Sequence, residues 1–397
     1  MTLLAAFAAC MGSFVSPATA QDIRARQWYL DAMKADQIWE TSTGKGVTVA
    51  VLDTGVDDSI PELRGQVLEG EDFSYKPKGA DVDTDGHGTD MAALIAGTGR
   101  SGGVQGLAPG VKVLPVKVGS GKPGIGDSTP AYLKAIRYAI KRGARIINLS
   151  QSIVSPLDED AQKRLQDGLD EVNTNGALVF AASGNDGESD NFAGYPSRLE
   201  GAIGVGSVNQ SGTVSKFSTH GPQVALAAPG EGIPGHCASQ TDSCTESGTS
   251  SATAITSASA ALIWSAHPKW TANQVLRVMM QTASKPKGKV PSEYIGYGII
   301  RPGQVLLDGK GDPGPADVNP LFPDYHPGQD SSATPSSPSQ TDAPSEASDT
   351  QNKDSAPSAS GDDDGDGNTL IYVGVGVAVV LAVGGGTFAL ARQRRRA

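Results

Sequence analysis

Five short apolar runs, rich in β-branched residues, constrain the fold of this chain more than any other feature: Val47 to Asp53, Val111 to Val118, Arg145 to Ser150, Ala177 to Ala182 and Ala202 to Ser207. Each is short for a helix and apolar on both faces, which is how a strand covered from both sides reads. Helical patterns lie between several of them. One opens at Thr129-Pro130, a cap followed by proline, and aligns Tyr132, Leu133, Ile136 and Ile140; another carries Leu165, Leu169 and Val172. Thr271 to Gln274 has the spelling of a capping box and opens one more helix. Strand and helix in alternation imply an α/β fold with a doubly wound, mainly parallel sheet. The 50 glycines suit its tight turns and close helix packing.

In such a sheet, functional groups gather beyond the carboxyl ends of the strands. Asp53 ends the first run, and Asn185 follows the fourth in Ala182-Ser183-Gly184-Asn185. His87 stands in Asp85-Gly86-His87-Gly88-Thr89, ahead of a small-residue helix from Met91 to Gly97. Ser250 stands in Gly248-Thr249-Ser250, at the mouth of a second such helix that ends in Leu262-Ile263-Trp264. Singly, these are most often a strand cap, a structural histidine, a turn asparagine and a helix-start serine. A serine is a weak nucleophile without a base, and the base needs an orienting acid. A helix start adds unpaired N–H groups for an oxyanion, and an amide can add one more donor.

The order Asp53, His87, Asn185, Ser250, each in a glycine-bounded setting, resembles the subtilisin-type serine peptidases over roughly Gly46 to Gln281. The Asp, then His, then Ser order belongs to that family; it is not something spacing alone provides. The resemblance implies that Ser250 attacks a peptide carbonyl, His87 takes its proton and Asp53 orients the imidazole. It further implies that Asn185 and the Ser250 amide hold the oxyanion, that Ser150, Gln151 and Ser152 pair with an extended peptide or protein substrate, and that no cofactor or metal takes part. The chain departs from the family pattern at Asp90 and Met91 after the histidine, at Ser251 and Ala254 after the serine, and in Ser150-Gln151-Ser152 where Ser-Leu-Gly is more common. No departure removes a catalytic group, but the added carboxylate of Asp90 is expected to shift the histidine or reshape the rim.

The layout narrows the resemblance to the mycosins, membrane-anchored subtilases of actinobacterial type VII secretion systems. The pointers are Gln27-Trp28-Tyr29-Leu30 ahead of Ile38-Trp39, the cysteine pair before the nucleophile, and the organisation of the C-terminal end. Residues 1–20 read as a signal peptide closing on Ala18-Thr19-Ala20, and 21–45 as an N-terminal extension, with the peptidase domain expected over 46–307. Residues 308–368, dominated by Asp, Pro, Ser, Gly and Thr, read as a disordered linker. Residues 369–391 carry no charge and reach the roughly 20 needed to span a bilayer, and the arginines of 392–397 keep that end cytoplasmic. The catalytic domain is thus expected outside the cell membrane, within reach of a secretion complex. Cys237 and Cys244 read as a local disulfide in an exported chain; a metal set with His236 lacks a fourth ligand. Asp362 to Gly367 falls short of a calcium loop. A net charge of -11 argues against nucleic-acid binding. The competing functional readings are a general surface subtilase and a scaffold subunit whose peptidase activity is dispensable.

Overall fold

Alternate residues of the first strand enter two different cores. Val49 and Val51 belong to one buried cluster, Ala50 and Leu52 to the other. That is the period-two signature of a strand sandwiched between helical layers. The computed structural model describes residues 23–119, 128–236 and 244–325. In chain order its elements are α1 (Ile23–Arg26), α2 (Trp28–Ala32), α3 (Ala35–Thr41), β1 (Thr48–Asp53), β2 (Glu71–Asp72), α4 (His87–Ala96), β3 (Lys112–Lys117), α5 (Thr129–Lys141), β4 (Ile146–Leu149), α6 (Glu159–Thr174), β5 (Leu178–Ala182), β6 (Ala202–Val208), β7 (Val224–Pro229), β8 (Ile233–Gly235), β9 (Cys244–Glu246), α7 (Thr249–Ala266), α8 (Ala272–Thr282) and α9 (Pro302–Leu306).

Seven strands form one sheet in the order β2-β3-β1-β4-β5-β6-β7, with every pair parallel. The expected α/β fold and all five expected strands are present; β7, a small-residue run ending in proline, and the two-residue β2 were not read from sequence. Helices α4, α7 and α8 pack with one cluster and α5 and α6 with the other, so both faces are covered. The order turns about β1, which lies between β3 and β4, and this is the crevice where doubly wound sheets place their sites.

Helix α7 is buried from Thr249 to Trp264 on every side. Four of its hydroxyls are satisfied within the protein: Thr253, Thr256 and Ser259 donate to the carbonyls of Thr249, Ala252 and Ile255 four residues back, and Ser257 donates to Asn148 Oδ1 at 3.0 Å. Serine, threonine and alanine therefore let the helix lie close to the sheet at little polar cost. The capping box of α8 forms as expected, Thr271 with Gln274. The cap of α5 is displaced by one: Ser128 takes the cap position, and Thr129 is buried with its hydroxyl accepting from Arg164.

The peptidase domain was expected to end at 307 and the linker to begin at 308. Residues 308–325 run on as a strap fastened to α8 and α6. Arg277 donates to the carbonyls of Pro315 and Val318 at 2.6 Å, Thr271 and Asn273 to that of Ala316, and Gln274 to that of Gly314. Tyr325 donates to Asp170. The strap has few aliphatic residues because backbone carbonyls, which every sequence carries, are what hold it. The expected signal peptide, the linker beyond 325, the span at 369–391, the basic tail and Cys237 with its pairing to the Cys244 side chain lie outside the described residues. Among the described residues no helix is long and apolar enough to cross a membrane.

Candidate active site

Two helix starts meet at the carboxyl edge of the sheet. Asp53, the last residue of β1, is completely buried. Its Oδ1 accepts from the Thr54 amide at 2.8 Å, contacts His87 Nδ1 at 2.7 Å and accepts more distantly from Gln151 Nε2 at 3.4 Å. His87 opens α4, and Gly88 behind it is dictated by space: a Cβ there would lie 2.1 Å from the Gly55 carbonyl oxygen and 3.0 Å from Asp53 Cβ. Burial disfavours the imidazolium, yet the charge of Asp53 and its hydrogen bond, with Glu246 and Asp85 behind them, raise the His87 pKa to about 9.

A residue that sequence reasoning passed over holds this corner together. Asp83 accepts from the Thr54 and Thr89 hydroxyls at 2.9 and 2.6 Å and from the amides of Gly86 and Thr89, both at 2.9 Å. Thr54 Oγ1 in turn accepts from the Gly88 amide. Burial would raise the Asp83 pKa, but these donors outweigh it and hold the carboxyl below its ordinary value. The readable signal was an aspartate four residues before a glycine-flanked histidine, where a helix start needs an acceptor.

Ser250 lies in the first turn of α7 and is 8% exposed. Its hydroxyl donates to the Ser150 carbonyl at 2.8 Å. Ser150 Oγ returns a bond to the Ser250 carbonyl at 3.1 Å and accepts from Asn148 at 2.9 Å. Asn185 Oδ1 accepts from the Thr249 amide at 2.9 Å and the Thr249 hydroxyl at 3.0 Å. An amide whose oxygen is tied to a helix N–H must present its NH2 on the other side. Here Nδ2 lies beside Gly248, two residues before Ser250. The remaining edge residues are anchored too. Gln151 Oε1 accepts weakly from the buried Tyr132 hydroxyl at 3.4 Å, and Ser152 donates to the Ala182 carbonyl at 3.1 Å. Asp53, His87, Asn185, Ser250 and Ser150 to Ser152 are thus brought together.

Asp90, expected to shift the histidine or reshape the rim, faces the chain just past β8. It is buried in α4, accepts from the His236 amide at 2.8 Å and hydrogen-bonds Glu246. Glu246, four residues before Ser250, adds to the rise of the His87 pKa behind the larger effects of Asp53. Behind them His236 Nδ1 meets the buried Glu62 at 3.1 Å, a contact that raises the His236 pKa and lowers that of Glu62 against the opposing effect of burial. Among the described residues no group of three or more His, Cys, Asp or Glu side chains converges as a metal site.

Comparison with known proteins agrees with this geometry. The chain is 35% identical over 211 residues to the major intracellular serine protease of Bacillus subtilis (strain 168), covering 51% of this chain and 64% of that protein. Two further curated relatives are covered over 68% and 65% of their lengths, so the chain spans about two thirds of the relatives it matches. Among solved structures, MycP1 from Mycobacterium smegmatis superposes with a TM-score of 0.63 at 27% identity, over 76% of this chain and 89% of that one. MycP3 protease from the type VII (ESX-3) secretion system gives 0.61 at 28% identity, over 73% and 90%. The family model of the subtilases, peptidase family S8, matches residues 44–298. With that match running through all seven strands of the sheet and both helix starts, the chain belongs to the subtilase family.

Proposed function

We propose that this chain is a serine endopeptidase working through Asp53, His87 and Ser250. The observation that carries the reading is the meeting of the Asp53–His87 pair with the start of α7, where the Asn185 oxygen is occupied and its NH2 is left to donate. On binding an extended peptide along Ser150 to Ser152, the Ser250 hydroxyl swings from the Ser150 carbonyl to His87 Nε2. Its oxygen attacks the scissile carbonyl carbon while the proton passes to Nε2. The carbonyl oxygen gains the charge and is held by Asn185 Nδ2 and the Ser250 N–H. Collapse breaks the C–N bond, and the leaving amine takes the proton from His87. Water then repeats the sequence on the acyl-enzyme, releasing the acid and restoring Ser250. Asp53 keeps Nδ1 protonated and stabilises the imidazolium, without itself taking the proton.

The wider setting is proposed from sequence layout and from the mycosin neighbours, one of which is a protease from the type VII (ESX-3) secretion system. Export by residues 1–20, a linker after the strap, a span at 369–391 and a cytoplasmic arginine tail put the cleft outside the membrane beside a secretion complex. A general surface subtilase shares the chemistry without the dedicated partner. The test is full-length protein, wild type beside Ser250→Ala, exposed to a fluorophosphonate probe and a peptide library. Labelling and cleavage by the wild type alone are expected. Two folded but unreactive proteins would overturn the peptidase reading and favour the scaffold role. Co-purification with secretion-membrane components separates a dedicated enzyme from a general one.

A further inference from the structure

Two carboxyl groups from different elements converge over Gly235, and the proposed catalytic chemistry uses neither. A Cβ on that glycine would lie 3.5 Å from Asp90 Oδ1 and 3.7 Å from Glu246 Cδ. Asp90 comes from α4, three residues beyond His87, and is buried; Glu246 comes from β9, which pairs antiparallel with β8 through Ile233. The Asp90 carboxylate is also fixed by the His236 amide at the end of β8. A hairpin strand leading straight to the nucleophile is therefore tied to the helix that carries the base, through two acids in hydrogen-bond contact. Two carboxylates at that separation resist ionising together, and one proton between them makes the contact attractive.

We propose that Asp90 and Glu246 form a proton-sharing carboxyl pair and that Glu246 is a positioning residue whose charge sets the pH range over which His87 accepts the Ser250 proton. This rests on the peptidase reading above and adds the regulation of the same site. Below the pair's second ionisation it holds one proton and one negative charge. Above it the proton goes to solvent, the pair carries two charges, and His87 grips its own proton harder. Burial first and Asp90 second push the Glu246 pKa up to about 8, inside the range where His87 titrates. The other groups facing this corner are Asp53 at the end of β1, Asp85 before α4, Asp57 and Glu62 near His236, and Arg26 of α1, which donates to the Thr245 hydroxyl.

The test is the rate of fluorophosphonate labelling of the full-length chain as a function of pH, for wild type, Glu246→Gln and Asp90→Asn. In the wild type the acid limb should be broadened, rising less steeply than a one-proton curve, because ionising the pair opposes ionising the imidazolium. Glu246→Gln should restore a one-proton limb with a midpoint lower by up to roughly half a unit; labelling at about pH 7, where the wild-type pair already holds its proton, should be nearly unchanged, and the gain, less than about twofold, should appear around pH 8–9. Asp90→Asn lets Glu246 ionise earlier, so it should sharpen the limb without lowering its midpoint as far. Coincident limbs in all three would overturn the pair. If Glu246→Gln fails to melt cooperatively, the slope of Asp90→Asn against wild type decides alone. A wild type that does not label at any pH defeats the peptidase reading instead, which keeps the two failures distinct.

Discussion

The starts of α4 and α7 solve opposite electrostatic problems within a few ångströms of sheet edge. Each presents one reactive side chain from a first helical turn, behind a glycine. The start of α4 is surrounded by carboxylates: Asp53 on the imidazole, Asp83 on the amides and hydroxyls of the first turn, and Glu246 beyond. The start of α7 is held by neutral groups alone, the Asn185 oxygen, the Ser150 hydroxyl and the Gly230 carbonyl, which accepts from the Gly248 amide. The difference follows the charge that each place would receive in the proposed chemistry. A base that becomes an imidazolium gains from fixed negative charge, whereas an oxyanion beside Ser250 would be repelled by it and needs unspent donors. The same fold sets carboxylates at the start of α4 and uncharged groups at the start of α7.

Replacements that alter the charge on one side only should break this comparison, beginning with the largest effect. Asp53→Asn removes the charge at the α4 start while keeping the shape. Peptidase activity should fall by about 10⁴-fold, measured as kcat/KM on a cleaved peptide, with folding retained. Asn185→Ala removes the donor beside α7. The expected loss is roughly 10²–10³-fold, falling on kcat more than KM, since the ground-state carbonyl does not use the bond fully.

The next two concern stability. Asp83→Asn keeps an acceptor and loses the charge, and should cost about 2 kcal/mol in thermal or denaturant unfolding. The sign of its pH dependence is fixed by a folded pKa below the ordinary 3.8. The contribution is fully present above the unfolded value and lost as the pH falls through the lower folded one. Wild-type melting should therefore drop on acidification through that window, while the Asp83→Asn variant, with no charge to lose there, melts with a flatter profile. Smallest is Ser257→Ala in α7, which leaves Asn148 Oδ1 without that donor and should destabilise by about 1 kcal/mol with no change in the pH profile.

Much of this was legible in the sequence because strand burial and chemistry both leave periodic or positional marks. The apolar runs gave the central strands, and Asp53, His87, Asn185 and Ser250 stood where strands end or helices begin. The rest was hidden for identifiable reasons. β7, from Val224 to Pro229, is built of small residues that fit a helix as readily as a strand. Asp83 sits in an acidic, glycine-containing loop, where composition predicts a solvated turn, and only the convergence of donors distinguishes it. Asp90 was visible as a departure from the family, but its partner Glu246 comes from an element more than a hundred residues away in sequence. The strap looked like linker because it is held mostly through its own backbone carbonyls, with Leu321 and Tyr325 among its few side-chain anchors.

That strap has a mechanical consequence. A pull on the chain beyond Tyr325 is taken first by the Tyr325–Asp170 bond on α6, then by the carbonyls clasped by Arg277 on α8. Neither helix contributes a residue to the cleft, so the tension is spread in shear across outer layers before it reaches the sheet. The cleft can stay in register while its far end is tugged, much as a tool keeps its alignment when the strain on its cable is relieved at the housing.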